Sequence, residues 1–389
     1  MVRYSKNPSE GISLLESALE QAKKEKRYFP FITTAAKLVE FYASIGEFEP
    51  ADKLILETRD VISRLSSISD QGELPYRKVY SEARFNGALA NYFYYRGNVK
   101  EGIDASTRST SGFSRLDKFV QPRDPRAQSH AKLNHFRGLV RLASFHRLAG
   151  NYYSAEQALR DAIEVATKVE QKGDVTLGVE IATLRFEQGL FKDSELSSRK
   201  ILETWKDNNL DEVSAQVLNV HTVLNRALAA QGKWGQLLEQ FKFLDHLASS
   251  NSHLKSLAYQ PDIRWLGHYF SGDMERAEQI TGDLYAASTK IYGAGHPTIS
   301  LHRGFYAVAL SKSKDPVKIA KAKVLFEKSI FQLSEGRSPG IKSPNDFERS
   351  MLNLIFHSYA KLLLSGPRSS DRDVDLAFSE PDRFFETGR

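Results

Sequence analysis

The feature that most constrains this chain is a glycine that recurs between two helix-like segments. It appears in "FYASIGEFEPADKLI" (41–55), "NYFYYRGNVKEGI" (91–103), "FHRLAGNYYSAEQAL" (145–159), "LRFEQGLFKDSEL" (184–196), "RALAAQGKWGQLLEQ" (226–240) and "GHYFSGDMERAEQI" (267–280). The glycines are Gly46, Gly97, Gly150, Gly189, Gly232 and Gly272, at spacings of 51, 53, 39, 43 and 40 residues. Each is followed within two residues by an aromatic or apolar residue. Glycine at such a place ends a helix in a left-handed conformation, where other residues meet a Cβ clash. Around these turns the apolar residues recur with helical period in segments of roughly 12–20 residues, and strand alternation is nearly absent. The fold class is therefore all-α. The chain has 389 residues, 41% of them hydrophobic, which suffices for one large core or for a stack of small ones.

Internal repetition separates these options. The unit resembles the tetratricopeptide repeat (TPR), whose period is about 34 residues; the longer spacing here implies longer helices or links. The match is best over 139–166. Leu142 and Ala143 match the first-helix pair, Gly150 the turn, Tyr152 the aromatic after it, and Ala155, Leu159 and Ala162 the small-large-small stripe of the second helix. Alanine at Ala155 and Ala162 lets two helices approach; a larger side chain would overpack the contact by about 1–3 kcal/mol. In other copies that alanine is replaced by Gly102, Ser194 and Leu237. The resemblance implies a right-handed TPR-like superhelix (α-solenoid) of about six or seven helix pairs, in which each pair covers its neighbour's apolar face and a concave groove remains.

The boundaries read as an N-terminal capping or half-repeat helix over 1–30, a TPR-like solenoid over 31–335, and C-terminal helices with a tail over 336–389. Linker-like or exposed stretches are expected within 53–79, within 104–130 after a helix extension, and at 335–346 ("EGRSPGIKSPND"). A second resemblance lies at 292–297, "YGAGHP". It looks like the YG-x-x-HP link of TPR arrays of the kinesin-light-chain type and of bacterial arrays that precede effector domains. Gly293 and Gly295 permit a tight turn, Pro297 opens a helix, and His296 reads as a turn or cap residue. The order of the tail, "AKAKVLFEKSIFQLSE", "FERSMLNLIFHSYAKLLLSG", "VDLAFSEPDRFFETGR", resembles the end of the TPR arm before the caspase-like CHAT peptidase domain of bacterial proteins. The resemblance implies either the recognition arm alone, as a regulatory partner of such a protease, or a relative that lost the enzyme.

The chain contains no cysteine, so it has no disulfide, no thiolate metal site and no His–Cys dyad. His130 and His135, and His296 and His302, are not spaced to share a helical face, and no HExxH occurs. No phosphate-binding glycine loop and no GxSxG elbow are present. Asp211 and Glu212 suit the first turn of a helix. An α/α-toroid hydrolase, with carboxylates about 5–9 Å apart, is the enzymatic alternative; the Gly-aromatic-Ala repeat argues against it. The expectation is a non-enzyme without cofactor or metal. The net charge of +6 comes from lysines and arginines scattered through helices, which argues against nucleic acid as partner. No membrane span and no signal-peptide core are visible, so the expected location is cytoplasmic, or exported as a mature form.

What remains is a surface. Aligning the copies on their glycines puts Arg84, Asn91 and Tyr94 on the groove wall, then Arg137, Arg141, Ser144 and Arg147, then Asn219 and Arg226, with Glu40, Glu180 and Asp262 among them. Arginine forks hold carboxylates in two places, and asparagine bonds extended backbone. The expected function is a recognition or scaffold module that takes a protein or peptide, acidic in character, with a protease or other effector in the same complex. A peptide-sensing TPR regulator is the alternative within the same family. Against an acidic ligand stands the reading that these arginines pair with neighbouring glutamates. In "NYFYYRG" (91–97), Tyr92 and Phe93 face the core, while Tyr94 and Tyr95 are either packing or a contact platform.

Overall fold

A computed structural model describes residues 8–66, 74–119, 125–168, 175–207, 214–249, 255, 258–291, 296–335 and 345–365. Among them no strand occurs, and the all-α expectation holds. The helices are α1 (Pro8–Lys24), α2 (Tyr28–Ser44), α3 (Phe48–Ser66), α4 (Leu74–Arg96), α5 (Val99–Phe119), α6 (Pro125–Leu148), α7 (Tyr152–Lys168), α8 (Val175–Glu187), α9 (Phe191–Asp207), α10 (Ala215–Ala230), α11 (Trp234–Ser249), α12 (Pro261–Phe270), α13 (Met274–Ile291), α14 (Pro297–Leu310), α15 (Pro316–Glu335) and α16 (Asp346–Leu364). No described helix is long and apolar enough to cross a membrane.

All six repeat glycines have positive φ, between 67° and 86°. Each turn is closed by the same bond. The amide after the glycine donates to the carbonyl five residues back, as in Asn151 N to His146 O (2.8 Å) and Lys233 N to Leu228 O (3.0 Å). This is the Schellman closure, which satisfies a carbonyl left open at the helix end. The α1–α2 link makes it too, from Arg27 N to Ala22 O (2.9 Å), with Lys26 at φ 52° in the glycine's place.

Five residues after each glycine the residue is buried: Ala51, Gly102, Ala155, Ser194, Leu237 and Ala277. The three departures from alanine are matched by their neighbours. At Gly102 the Phe145 ring takes the vacated space, and an added Cβ would lie 2.0 Å from its Cε1. Ser194 donates its hydroxyl to Ala182 O (2.8 Å). Leu237 packs beside Leu238, where α12 offers Gly267; a Cβ there would meet Leu238 at 2.9 Å.

The helical segments run longer than the polar sequence suggests. The helix extension expected after Asp104 runs to Phe119 and α6 starts at Pro125, so the exposed loop expected to follow it is confined to 120–124, outside the described residues. Here Ser109 and Thr110 are buried, and the Ser109 hydroxyl serves a helix contact by donating to Ala83 O (2.8 Å). His296 caps α14, its Nδ1 accepting from Thr298 N at 3.3 Å. Residues 67–73 of the linker-like stretch, 120–124, Asp211 and Glu212, Tyr292 to Gly295, 336–344 and the tail 366–389 lie outside the described residues.

The chain divides into two compact units, 1–180 and 181–389. In the first, α1 to α5 share a core with Phe145 of α6, around Ile32, Val39 and Phe85. A second cluster joins α6 and α7 at Phe136, Val140 and Ala162, and a third forms at Ala83, Phe113 and Leu116. In the second unit one continuous core runs from Leu218 and Phe241 through Trp265 and Phe305 to Ile355 and Tyr359. Its last described helix does not simply follow α15. α16 lays Ile355 against Gly304 and reaches the α8–α9 turn, where Phe347 meets Phe186 at 5.7 Å and Asn345 Nδ2 donates to Glu187 (3.4 Å).

Candidate partner-binding face

The first unit carries most of the residues that the repeat alignment selects. On α4, Tyr80, Arg84, Gly87, Asn91 and Tyr94 follow one another at four and three residues, which places them on one side of the helix. On α6, Arg137, Arg141, Ser144 and Leu148 do the same. α5 packs against both helices, and side chains of α6 reach α4 directly. An added Cβ on Gly87 would stand 3.1 Å from Arg141 Nη1, so this guanidinium lies over bare glycine backbone. Tyr94 meets Phe145 edge-on at 6.2 Å, and at the other end Tyr80 lies 5.9 Å from the His130 ring.

The charges on this face divide into two sets. Arg84 holds Glu40 with both nitrogens, at 3.4 and 3.1 Å, and Asn91 Nδ2 donates to the same carboxylate at 3.1 Å. Arg147 Nε donates to Glu180 at 2.6 Å, in a pair that is almost buried. These two arginines are neutralised by neighbours. Arg137 and Arg141 are not: among the described residues neither takes an ion pair or a hydrogen bond. Arg137 is exposed and Arg141 half-buried. Burial pushes the Arg141 guanidinium below the usual arginine range; Glu40 pulls it back, and Arg84 and Arg137 push it further down. An arginine does not lose its proton in a protein, so the guanidinium keeps its charge there. Burial, then Arg137 and Arg84, likewise lower His130.

Ser144 lies in the same stripe, its hydroxyl donating to Val140 O (3.2 Å). Beyond it the face turns aromatic. Tyr92 is buried and Phe93 half-buried, whereas Tyr94 and Tyr95 are exposed. With Phe93, Val99, Phe145 and Leu148 they line a recess of about 410 Å³. Two sequence-selected residues belong to the second unit. Arg226 faces Asp262 at 3.8 Å, both half in solvent, and Asn219 is exposed. Pairing with neighbouring acids thus accounts for Arg84, Arg147 and Arg226 but leaves Arg137 and Arg141.

Sequence alignment missed Gly87, Tyr80, His130 and Phe145. The four-three-four-three spacing from Tyr80 to Tyr94 was the available signal for Tyr80 and Gly87. It also missed two buried networks in the second unit. Arg264 is clamped by Asp245 at 2.8 Å on both nitrogens and lies 4.4 Å from the Phe241 ring centre. Burial pushes Glu195 up, but hydrogen bonds from Lys233, Gln231 and Arg199 outweigh it and hold the carboxyl below its usual value. Both are closed charge pairs that brace helices. Among the described residues no group of histidine and carboxylate side chains could hold a metal ion.

No protein-family model matches the chain, and no curated protein sequence matches it.

Proposed function

We propose that this chain is a TPR-like solenoid acting as a non-catalytic recognition module, and that its working surface is the α4–α6 face of the first unit. The observation that carries the reading is leftover charge: among the described residues Arg137 and Arg141 take no ion pair or hydrogen bond, on a face that also exposes Tyr94 and Tyr95. Arginine and tyrosine dominate binding hot spots, because each offers a large contact area with a directional polar end. The ligand is a protein segment or peptide of acidic character. A protease or other effector in the same complex, as the CHAT-arm resemblance implies, is the class of protein that would present it.

Selection of random peptides on the full chain tests this reading. Saturable binders should emerge that compete with one another. They should be lost on Ser144→Trp, which fills the stripe, and on Arg137→Trp at an exposed position, while thermal melts of both variants stay at the wild-type value. Absence of enriched binders, or binders indifferent to both variants, removes the proposal.

A further inference from the structure

Chemistry changes along the α4–α6 face. Its middle holds three guanidiniums, Arg84, Arg137 and Arg141, with one carboxylate, Glu40, already taken by Arg84. Its end holds the apolar recess beside Tyr94 and Phe145. Gly87, over which Arg141 lies, and Tyr94 are separated on α4 by seven residues, about 10 Å at the helical rise of about 1.5 Å per residue. An extended chain covers that distance in about three residues, at about 3.3 Å each. Building on the recognition role proposed above, we infer that this face reads a two-part motif on an extended peptide: a carboxylate seated on Arg141 and Arg137, and an apolar side chain three residues away in the Tyr94–Phe145 recess.

The carboxylate follows from the geometry of the basic patch. Two guanidinium forks are unengaged among the described residues, and a carboxylate offers two oxygens to them. Arg141 is half-buried, so water screens an anion bound there less than one on an open surface. Glu40 stands beside the site, so a singly charged group meets less repulsion than a phosphate dianion. The apolar half follows from the recess: aromatic walls, two of them exposed, take an aliphatic or aromatic side chain out of water.

The test uses synthetic, fluorescein-labelled versions of the peptides selected on the full chain. Replacing their Asp or Glu by Gln should weaken binding about tenfold, in line with a charge-assisted hydrogen bond. The acid should stand three places from a Leu, Phe or Trp. Arg141→Gln should abolish the preference for acid over Gln while retaining the apolar preference; Tyr94→Ala should do the reverse. Arg137→Gln, at an exposed position, provides a second variant free of packing effects. The acid preference should shrink as salt rises from about 50 mM to about 500 mM. Selected peptides without an acid, or an acid preference that survives Arg141→Gln and Arg137→Gln, overturn the inference and leave the recognition role standing. A phosphoserine version that binds far more tightly than Asp overturns the carboxylate assignment. If no peptide is selected at all, the recognition role falls with it.

Discussion

At the scale of single residues, tight complementarity replaces a consensus. Gly102 stands where the repeat resemblance puts alanine, and the reason is the Phe145 ring seated on it. Gly102→Ala should therefore cost about 1–3 kcal/mol by overpacking, although it moves the residue toward the family pattern. Urea denaturation would measure it, and Gly102→Ala with Phe145→Leu should lose less than Gly102→Ala alone. A neutral Gly102→Ala would mean that the ring can swing away. Arg141 shows the same dependence on a neighbour. Its guanidinium has room because Gly87 has no side chain, and its charge stays open because Glu40 belongs to Arg84 and Asn91. Nothing in the local sequence marks that difference between Arg141 and Arg147.

At the scale of elements, helix ends carry much of the specification. Gly150 sits at φ 76°, so Gly150→Ala should destabilise by about 1–2 kcal/mol through its Cβ. Gly11 is the opposite case. It lies inside α1, and an added Cβ would meet nothing within 4 Å, so Gly11→Ala should stabilise by about 0.5–1 kcal/mol. Thermal melts of the two variants should shift in opposite directions; shifts of one sign would refute the conformational argument. α16 begins with a capping box, Asn345 accepting from Glu348 N (2.9 Å) and Glu348 accepting from Asn345 N (3.0 Å). Asn345→Ala should cost about 1 kcal/mol and loosen the helix end at Phe186, which hydrogen exchange in α16 would report. Helix identity and the six glycine turns were legible in advance, since both depend on residues close in sequence. The helix extension after Asp104 was legible, but not where it ends: its serines and threonines carry the helix to Phe119 by bonding across or along helices, as Ser109 and Thr107 do.

At the scale of the whole molecule, histidines that are half-buried or buried predict acid sensitivity. Burial lowers His146, His221 and His302 from the usual value of 6.5. A histidine that stays neutral in the fold but protonates in the unfolded chain gives the unfolded state the greater proton uptake. Stability then rises with pH through that window. The contribution is present above about 6.5 and is lost as pH falls from there toward the lowered folded values. Urea midpoints should drop between pH 7.5 and pH 5.5, before Glu195, whose carboxyl is held below its usual value of 4.5, begins to protonate. An unchanged or rising midpoint over that interval would contradict the burial of these rings.

By itself the amino-acid sequence determined the all-helical class, the turn glycines and the stripes of α4 and α6. Each of these follows from backbone sterics or from a period of three to four residues, and both act within one helix turn. Only the tertiary structure decided which arginines remain unpaired. The acids that neutralise Arg84 and Arg147 lie 44 and 33 residues away along the chain, and a charge is cancelled by whatever folding brings within about 4 Å. It also decided that Asn345 meets Glu187 across 158 residues, because long-range packing depends on how several helices add their small angles, a quantity no local pattern contains.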